Sequence, residues 1–407
     1  MPDTLRAVKL NSKFSNQTSK EIAALTTTAA QVAEHREKIR TWLAATTLEL
    51  KEFHGTHERT AEGALDAGRR FMRLLYDHGW GRWGWPESAG GLGGPVVLRS
   101  VLYDELEWAN YPVPVQYELL ETMAPAVLAF APELAARLLP AALTGERAWA
   151  QGFSEPEAGS DLAALRCRAR RDGEHYVITG QKIWTSQAIG ASCIGTLVRT
   201  GAADSRHRGL SMLMVDLDTP GVEVRPIRFA NGQNELAEVF FDDARVPADR
   251  LVGAEGQGWA VAMFLLQYER GNYAWVRQAH IGRMVAALAA RADDTDDRAM
   301  AQIGGAWLAQ QAVRMRCGRT VLRLADGEAL GPEISIDKVL LGTAEQRVCD
   351  ASIALQRNRF LFSDSDEDEF WRAQWFYTRA STIYGGAAEV QRSIIADRVL
   401  GLPKENA

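Results

Sequence analysis

The chain of 407 residues contains no apolar run long enough to cross a membrane and no excess of positive charge. A transmembrane helix needs about 20 consecutive, predominantly apolar residues. A protein that binds nucleic acid through its phosphates usually carries a basic surface, whereas the formal net charge here is −6. The sequence therefore predicts neither membrane insertion nor a nucleic-acid partner.

Cysteine and histidine are too few and too scattered to predict a disulfide framework or a metal centre. The four cysteines have no CxxC spacing, and the seven histidines are dispersed. His54 and His57 have the i,i+3 spacing of a helical pair, but no third ligand is evident, so we predict no metal. Because the N-terminus also lacks the apolar core of a secretory signal, we expect a cytoplasmic protein.

Hydrophobic periodicity divides the chain into three parts. Apolar residues recur at intervals of three and four up to about residue 148, which predicts a helical domain over residues 1–148. Short β-branched runs between turn residues predict a β domain over residues 149–253. Long helical patterns return over residues 254–407. The predicted fold class is α+β, with an N-terminal helical domain, a middle antiparallel β-barrel or sandwich and a C-terminal helical bundle.

Two segments of the β domain contain residues suited to binding a ligand. In "QGFSEPEAGSDLA", which starts at residue 151, backbone amides around Gly159 and Ser160 can form an anion-binding nest; a simple tight turn is an equally good explanation. Further on, Trp184 precedes Thr185 and Ser186. An indole followed by two hydroxyls suits a flat heteroaromatic ligand, although a tryptophan in a β domain is more often a core residue.

The stretch "MFLLQYERGNY", residues 263 to 273, places a carboxylate in an apolar helix. By helical spacing Glu269 shares a face with Leu265, Leu266 and Val276. Burying an acid there is costly unless something compensates for it. Glu269 is therefore either a functional group or a surface residue whose face is misassigned.

Five segments, in this order, resemble the acyl-CoA dehydrogenase family: "FSEPEAGSDLA", "ITGQKIWTS", "GLSMLMVDLDTPGVEVRPI", "FFDDARVPADRLVGAEGQGW" and "IYGGAAEVQRSIIADRVLG". The resemblance runs from about residue 19 to Pro403. It implies an FAD-dependent enzyme that removes an α-proton and a β-hydride from an acyl-CoA thioester and forms a trans-2-enoyl-CoA. It also implies an oligomer, with an electron-transferring flavoprotein as electron acceptor.

The same resemblance implies which residues hold FAD and substrate. Ser154 would meet the pyrimidine edge of the flavin, Ser186 the region of N5, and Ser160 the pyrophosphate and the CoA part of the substrate. The implied FAD-binding set is Gln151, Gly152, Phe153, Ser154, Gly159, Ser160, Trp184, Thr185, Ser186, Gly386 and Glu389. The implied substrate-binding set is Ser160, Arg270 and Tyr384.

In many family members the catalytic base is a Glu directly after the Tyr of a Tyr-Glu-Gly turn, and the resemblance implies that the base of this chain lies elsewhere. Here that turn reads Tyr384-Gly385-Gly386, and Gly385 cannot take up a proton. Isovaleryl-CoA and long-chain acyl-CoA dehydrogenases carry the base on the helix after the β domain, just before an Arg, and Glu269 and Arg270 match those positions. The resemblance thus implies that Glu269 is the base and that the Gly385 N–H donates to the thioester carbonyl. For Arg270 the resemblance leaves two roles open, namely lining the acyl-CoA channel or balancing the charge of Glu269.

Two motifs by which many family members reach the FAD of a neighbouring subunit are missing from the C-terminal part. They are an Arg followed shortly by Phe-Gly, and a Gln before a Gly-Gly-x-Gly turn. Their absence favours a heterotetramer with a second acyl-CoA-dehydrogenase-like chain, the alternative being a homodimer that binds FAD through other residues. Two other functions stay open, a flavin-dependent monooxygenase of the same fold and a non-catalytic subunit. The acyl group of the substrate is not predicted.

Overall fold

The computed structural model describes residues 29–55, 60–293 and 295–403, and the N-terminal part of the described chain is helical. The helix Ala61–Asp77 begins after Thr60, whose hydroxyl accepts a hydrogen bond from Gly63 N at 3.1 Å, as an N-cap residue does. The glycine- and tryptophan-rich segment between this helix and the next is a loop with one short 3₁₀ turn, Glu87–Ala89. The helices are α1 (Ala29–Ala45), α2 (Ala61–Asp77), α3 (Val96–Trp108), α4 (Gln116–Phe130) and α5 (Pro132–Leu143).

The middle part is a β-sheet that does not close, so the predicted barrel is too specific. The strand order is β6-β7-β3-β2-β4-β5-β8, and β1 pairs with β4. Most neighbours are antiparallel, but β1 and β2 each pair with β4 in parallel. The described strands are β1 (Trp149–Gly152), β2 (Arg168–Asp172), β3 (His175–Ser186), β4 (Cys193–Arg199), β5 (Leu210–Asp216), β6 (Val222–Ile227), β7 (Leu236–Pro247) and β8 (Leu251–Val252).

The C-terminal part is helical again, as the sequence predicts. Its first two helices are joined by a π-helical turn, Glu269–Tyr273, rather than by a loop. The helices are α6 (Gly258–Tyr268), α7 (Ala274–Arg291), α8 (Asp297–Ala325), α9 (Ser335–Gln356), α10 (Arg359–Phe362), α11 (Asp366–Thr378) and α12 (Ala388–Ile394).

One apolar core joins the N-terminal helices, one face of the sheet and helix α6. Val261 and Leu265 of α6 are fully buried in the same cluster as Met123 and Val127 of α4 and Met212 of β5. Because α6 leads directly into the π-turn, this core fixes the turn at the junction of the three parts.

The structure shows the surroundings of the cysteines and of the histidine considered as a metal ligand, and it bears on the question of a membrane span. All four cysteines are buried free thiols. His54 packs edge-on against Tyr111 at 5.2 Å between ring centroids, and His57 lies outside the described residues. Among the helices of the described ranges, none combines the length and apolar character that a membrane span requires.

Candidate active site

Glu269 and Gly385, which are far apart in the sequence, are neighbours in the structure. A Cβ atom placed on Gly385 would lie 2.6 Å from Glu269 Oε1, so the carboxylate occupies the space that a side chain at position 385 would need. Gly385 has φ +63° and Gly386 has φ +97°, and glycine adopts such angles without steric cost. The predicted base and the predicted carbonyl donor therefore face each other.

The π-turn that carries Glu269 is anchored to the N-terminal part through Glu121, a fully buried residue of α4. Asn272 Nδ2 in the turn donates to Glu121 Oε2 at 2.8 Å. The same carboxylate accepts hydrogen bonds from Arg99 Nη2 at 2.8 Å and from the Tyr103 hydroxyl at 2.5 Å. This network satisfies a buried charge, as burial requires, and holds the turn in place.

The π-turn also changes which residues share a helical face with Glu269, compared with the face expected from the sequence. A regular helix would place Glu269 in line with Leu265, Leu266 and Val276. A π-turn has i→i+5 hydrogen bonds and adds a residue to the turn, so the side chains of α7 are rotated relative to those of α6. Val276 consequently does not continue the face on which Glu269 lies.

Lys338 of α9 lies beside Gly385 and was not identified from the sequence. Its side chain is buried, with 6% exposed, and Nζ donates to Ser381 O at 2.8 Å. The ammonium sits 4.2 Å from the ring centroid of Tyr384. Burial lowers the pKa of Lys338 to about 8, although Glu345 and Glu269 counteract it. The signal that could have revealed it is a lysine directly before the apolar run "VLL" of α9.

The residues that flank Glu269 and Gly385 have different surroundings. Arg270 Nη2 lies 3.6 Å from the position of a Cβ on Gly386, and its Nε is buried without a partner among the described residues. Burial lowers the pKa of Arg270, and Glu269 opposes that effect. The Tyr384 hydroxyl donates to Glu345 Oε2 at 3.3 Å. Glu389, by contrast, is 82% exposed.

Trp184 is not a core residue, because 56% of it is exposed. It has φ +61° and lies where the register of β3 against β7 shifts between Lys182 and Thr185. The neighbouring Thr185 has a buried Oγ1 without a partner among the described residues, and Ser186 is half-buried. The exposed indole suits packing against the face of a flat ring, and the neighbouring hydroxyl without a partner suits a hydrogen bond to the polar edge of that ring.

The segment from Gln151 to Ser160 is folded around a buried ion pair that the sequence did not reveal. Glu155 Oε1 accepts from Lys182 Nζ at 2.7 Å and from Cys167 N at 2.9 Å. Because Lys182 lies two residues before Trp184, this pair joins the two segments that the sequence assigned to the flavin. Around it, Gly152 and Phe153 are buried, Gln151 and Ser154 are half-buried, and Gly159 and Ser160 are exposed.

Known protein families match most of this architecture. The family model for the acyl-CoA dehydrogenase middle domain matches residues 150–244, and the model for the acyl-CoA dehydrogenase C-terminal domain matches residues 256–400. The chain belongs to the acyl-CoA dehydrogenase family. It is therefore an oxidoreductase of a family whose members are FAD-binding flavoproteins.

Individual relatives agree with this assignment. Acyl-CoA dehydrogenase IpdE1 of Mycobacterium tuberculosis is 37% identical over 385 residues, covering 92% of this chain and 98% of the relative. The Tcur3481-Tcur3483 steroid ACAD is 25% identical, with a TM-score of 0.77 over 94% of this chain and 100% of the other. The ChsE4-ChsE5 complex from Mycobacterium tuberculosis is 26% identical, with a TM-score of 0.75 over 93% of this chain and 99% of the other.

Proposed function

We propose that this acyl-CoA dehydrogenase converts an acyl-CoA thioester to a trans-2-enoyl-CoA, with Glu269 as the base that removes the α-proton. The observation that supports this role is the contact between the Glu269 carboxylate and Gly385. The base and a backbone donor for the thioester carbonyl are then on the same side of one substrate. Bound FAD would accept the β-hydrogen as hydride at N5.

The residues around Glu269 suit the negative charge that develops when an α-proton leaves. The thioester oxygen becomes enolate-like, and the Gly385 N–H is a preorganised donor to it. The buried Lys338 ammonium lies next to the same turn and stabilises negative charge through a medium of low dielectric constant. Its hydrogen bond to Ser381 O also holds the segment that leads into Gly385.

The residues that would hold FAD are those of the two joined segments of the β domain. Trp184 would cover one face of the ring, and Thr185, Ser186 and Ser154 would meet its polar edge. Ser160, in its exposed turn, is available to a phosphate of FAD or CoA.

Anaerobic mixing of the FAD-loaded protein with a panel of acyl-CoAs tests this function. Bleaching of the oxidised flavin, with formation of an enoyl-CoA product, is the expected result. A flavin that no acyl-CoA reduces, but that NAD(P)H reduces before reacting with oxygen, would instead identify a monooxygenase. A protein that never acquires flavin, even in a complex, would be a non-catalytic subunit.

We further propose a heteromeric assembly, with an electron-transferring flavoprotein as electron acceptor. The sequence lacks both motifs that reach a neighbour's FAD, and one similar solved structure is a complex of two differently named chains. Helix α8 also exposes apolar side chains at intervals of seven residues, namely Leu308, Met315 and Leu322. Such spacing forms a stripe along one side of a helix, which suits burial against another chain.

Replacing Trp184 by alanine should weaken flavin binding more than it weakens binding of the acyl-CoA. The indole is exposed and would lose its contact with the ring, which we expect to raise the dissociation constant of FAD by about tenfold or more. Flavin fluorescence titration measures this change. Trp108→Ala, at a half-exposed tryptophan outside the site, is the control, and equal behaviour of the two variants would contradict the role of Trp184.

The rate of flavin reduction should fall as the pH rises above about 8, because Lys338 then loses its proton and the positive charge beside Gly385 disappears. Below that pH the Lys338 ammonium is present, so deprotonation of this group does not lower the rate of flavin reduction. In Lys338→Arg the charge persists, so the decline should be absent up to pH 9. Stopped-flow reduction across the pH range measures both profiles, and superimposable curves would exclude this role of Lys338.

A further inference from the structure

Ionisable side chains continue beyond the proposed base along the substrate side of α7. Tyr273 ends the π-turn that begins at Glu269, and Arg277 follows in the first turn of α7, so the two lie successively further from Glu269 along the helix axis. Elements packed around α7 supply the rest of a group that we call the distal polar cluster. It consists of Glu118, Glu235, Tyr273, Arg277, Glu345, Tyr377 and Tyr384.

Two of the three carboxyls in the distal polar cluster already have donors. Glu345 Oε1 accepts from Arg277 at 2.8 Å, and its other oxygen accepts from the Tyr384 hydroxyl at 3.3 Å. Glu235 accepts from the Tyr377 hydroxyl at 3.5 Å. These groups have partners within the protein and therefore need no ligand.

Glu118 of α4 is different. Within the described part of the chain, its carboxyl has no hydrogen-bond partner, and Arg277 Nη1 is 3.9 Å away. Burial raises the pKa of Glu118 to about 7; Arg277 opposes this shift, and Glu235, Glu345 and Glu107 reinforce it. Yet 18% of the side chain is accessible. A carboxyl that is desolvated but still partly accessible can form a hydrogen bond with a group that reaches it.

Room for a large group exists further along the same elements. A cavity of about 1160 Å³ is lined by Arg283 and Ala287 of α7, by Gln374 of α11 and by Val113 and Val115 before α4. The distal polar cluster itself does not line this cavity. In chain order, however, Arg277 comes between Glu269 and Arg283, and Glu118 follows Val115. An acyl group that follows these elements from Glu269 would therefore come to Glu118 before it comes to the residues that line the cavity.

We propose that the acyl group of the substrate carries a neutral oxygen function, a hydroxyl or a ketone, that hydrogen-bonds to Glu118. This inference rests on the proposed dehydrogenase function. A hydrocarbon chain would leave the carboxyl desolvated, with the long ion pair to Arg277 but without a hydrogen bond, which costs free energy. The protonated carboxyl donates to a ketone, and the ionised form accepts from a hydroxyl. A substrate that ends in a carboxylate is disfavoured, because the three carboxyls of the cluster outnumber its nearby cations, Arg277 and Lys338.

Matched acyl-CoAs of equal length test the proposal on the FAD-loaded protein. The series comprises 7-oxooctanoyl-, 9-oxodecanoyl- and 11-oxododecanoyl-CoA, their hydroxy counterparts, the plain alkanoyl-CoAs and the ω-carboxyl esters. Dissociation constants come from calorimetry, and anaerobic flavin reduction is recorded separately. We expect at least one oxo or hydroxy ester to bind about tenfold more tightly than its alkanoyl counterpart, the scale of one hydrogen bond to a buried group. Equal or tighter binding of every alkanoyl or ω-carboxyl ester would overturn the proposal.

Substitutions of Glu118 separate its role from general packing. Glu118→Leu should abolish the preference for oxygenated esters, whereas Glu133→Leu, at an exposed acid of α5, should leave it intact. In the wild type, affinity for the oxo ester should decline as the pH rises through about 7, because Glu118 loses the proton that it donates. Glu118→Gln retains an N–H donor and should show no such decline. This near-isosteric variant keeps the test decisive if Glu118→Leu fails to fold, since an unchanged pH profile would contradict the role of Glu118.

The two measurements distinguish failure of this inference from failure of the proposed function. If oxygenated and plain esters reduce the flavin but bind equally well, the dehydrogenase function stands and the role of Glu118 is wrong. If no ester reduces the flavin of the complete assembly, the dehydrogenase function itself fails.

Discussion

Replacing Glu269 by glutamine should slow anaerobic flavin reduction by a hundredfold or more while the protein keeps its FAD. An amide has nearly the shape of the carboxylate but cannot take up the α-proton, and loss of a general base costs about 10²–10⁴ in rate. The hydrogen bond from Asn272 to Glu121, which anchors the turn, does not involve the Glu269 carboxylate. Stopped-flow absorbance with a reducing acyl-CoA gives the rate, and the flavin spectrum confirms occupancy. Reduction at the wild-type rate would show that Glu269 is not the base.

The complementary experiment moves the carboxylate from position 269 to position 385. A side chain at position 385 would collide with Glu269, since the Cβ position is 2.6 Å from Oε1. We therefore expect Gly385→Glu to restore reduction partly when combined with Glu269→Gly, which empties that space, and not when combined with Glu269→Gln. The recovery will be incomplete, because φ +63° is unfavourable for a residue with a side chain. Equal rates in the two double variants would contradict the idea that both positions face the same carbon.

Purified alone, this chain should contain much less than one FAD per polypeptide, and a suitable second chain should raise both occupancy and activity. The missing Arg…Phe-Gly and Gln motifs are those by which many relatives reach a neighbour's FAD. A partner that binds only the folded protein also raises its stability by mass action, by about 2.7 kcal/mol at a hundred times the dissociation constant. Co-expression with an acyl-CoA-dehydrogenase-like chain that carries the Arg…Phe-Gly motif, followed by mass photometry and flavin quantification, tests this expectation.

The exposed apolar stripe of α8 supplies a matched control for assembly. Leu308→Asp and Met315→Asp place a charge on the surface expected to be buried, so each should lower the fraction of complex. Gln302→Asp, at an exposed polar position on the same helix, should not. A homo-oligomer with one tightly held FAD per chain and full turnover would refute the partner hypothesis and leave the role of Glu269 untouched.

Much of the fold could be predicted because each part has its own local pattern. Alternating β-branched runs predict strands, intervals of three and four predict helices, and the family segments identify the acyl-CoA dehydrogenase architecture. The predicted barrel was too specific because closure depends on whether the outer strands β6 and β8 pair, which neither strand encodes alone. The exposure of Trp184 was equally undecidable, since a tryptophan in a strand suits a core as well as a ligand surface.

The sequence by itself determined the helical–β–helical order and the family, and it led to the prediction that an acid at position 269 replaces the one missing at position 385. Only the tertiary structure decided that these two positions meet, because 116 residues (385 − 269) separate them and nothing local relates them. It also placed the ionisable side chains of Lys338, Glu118 and Glu155 relative to their neighbours. A buried ionisable residue is defined by what surrounds it, and its neighbours here come from distant elements. The π-turn at Glu269 depends likewise on a contact with α4, which helical periodicity cannot reveal.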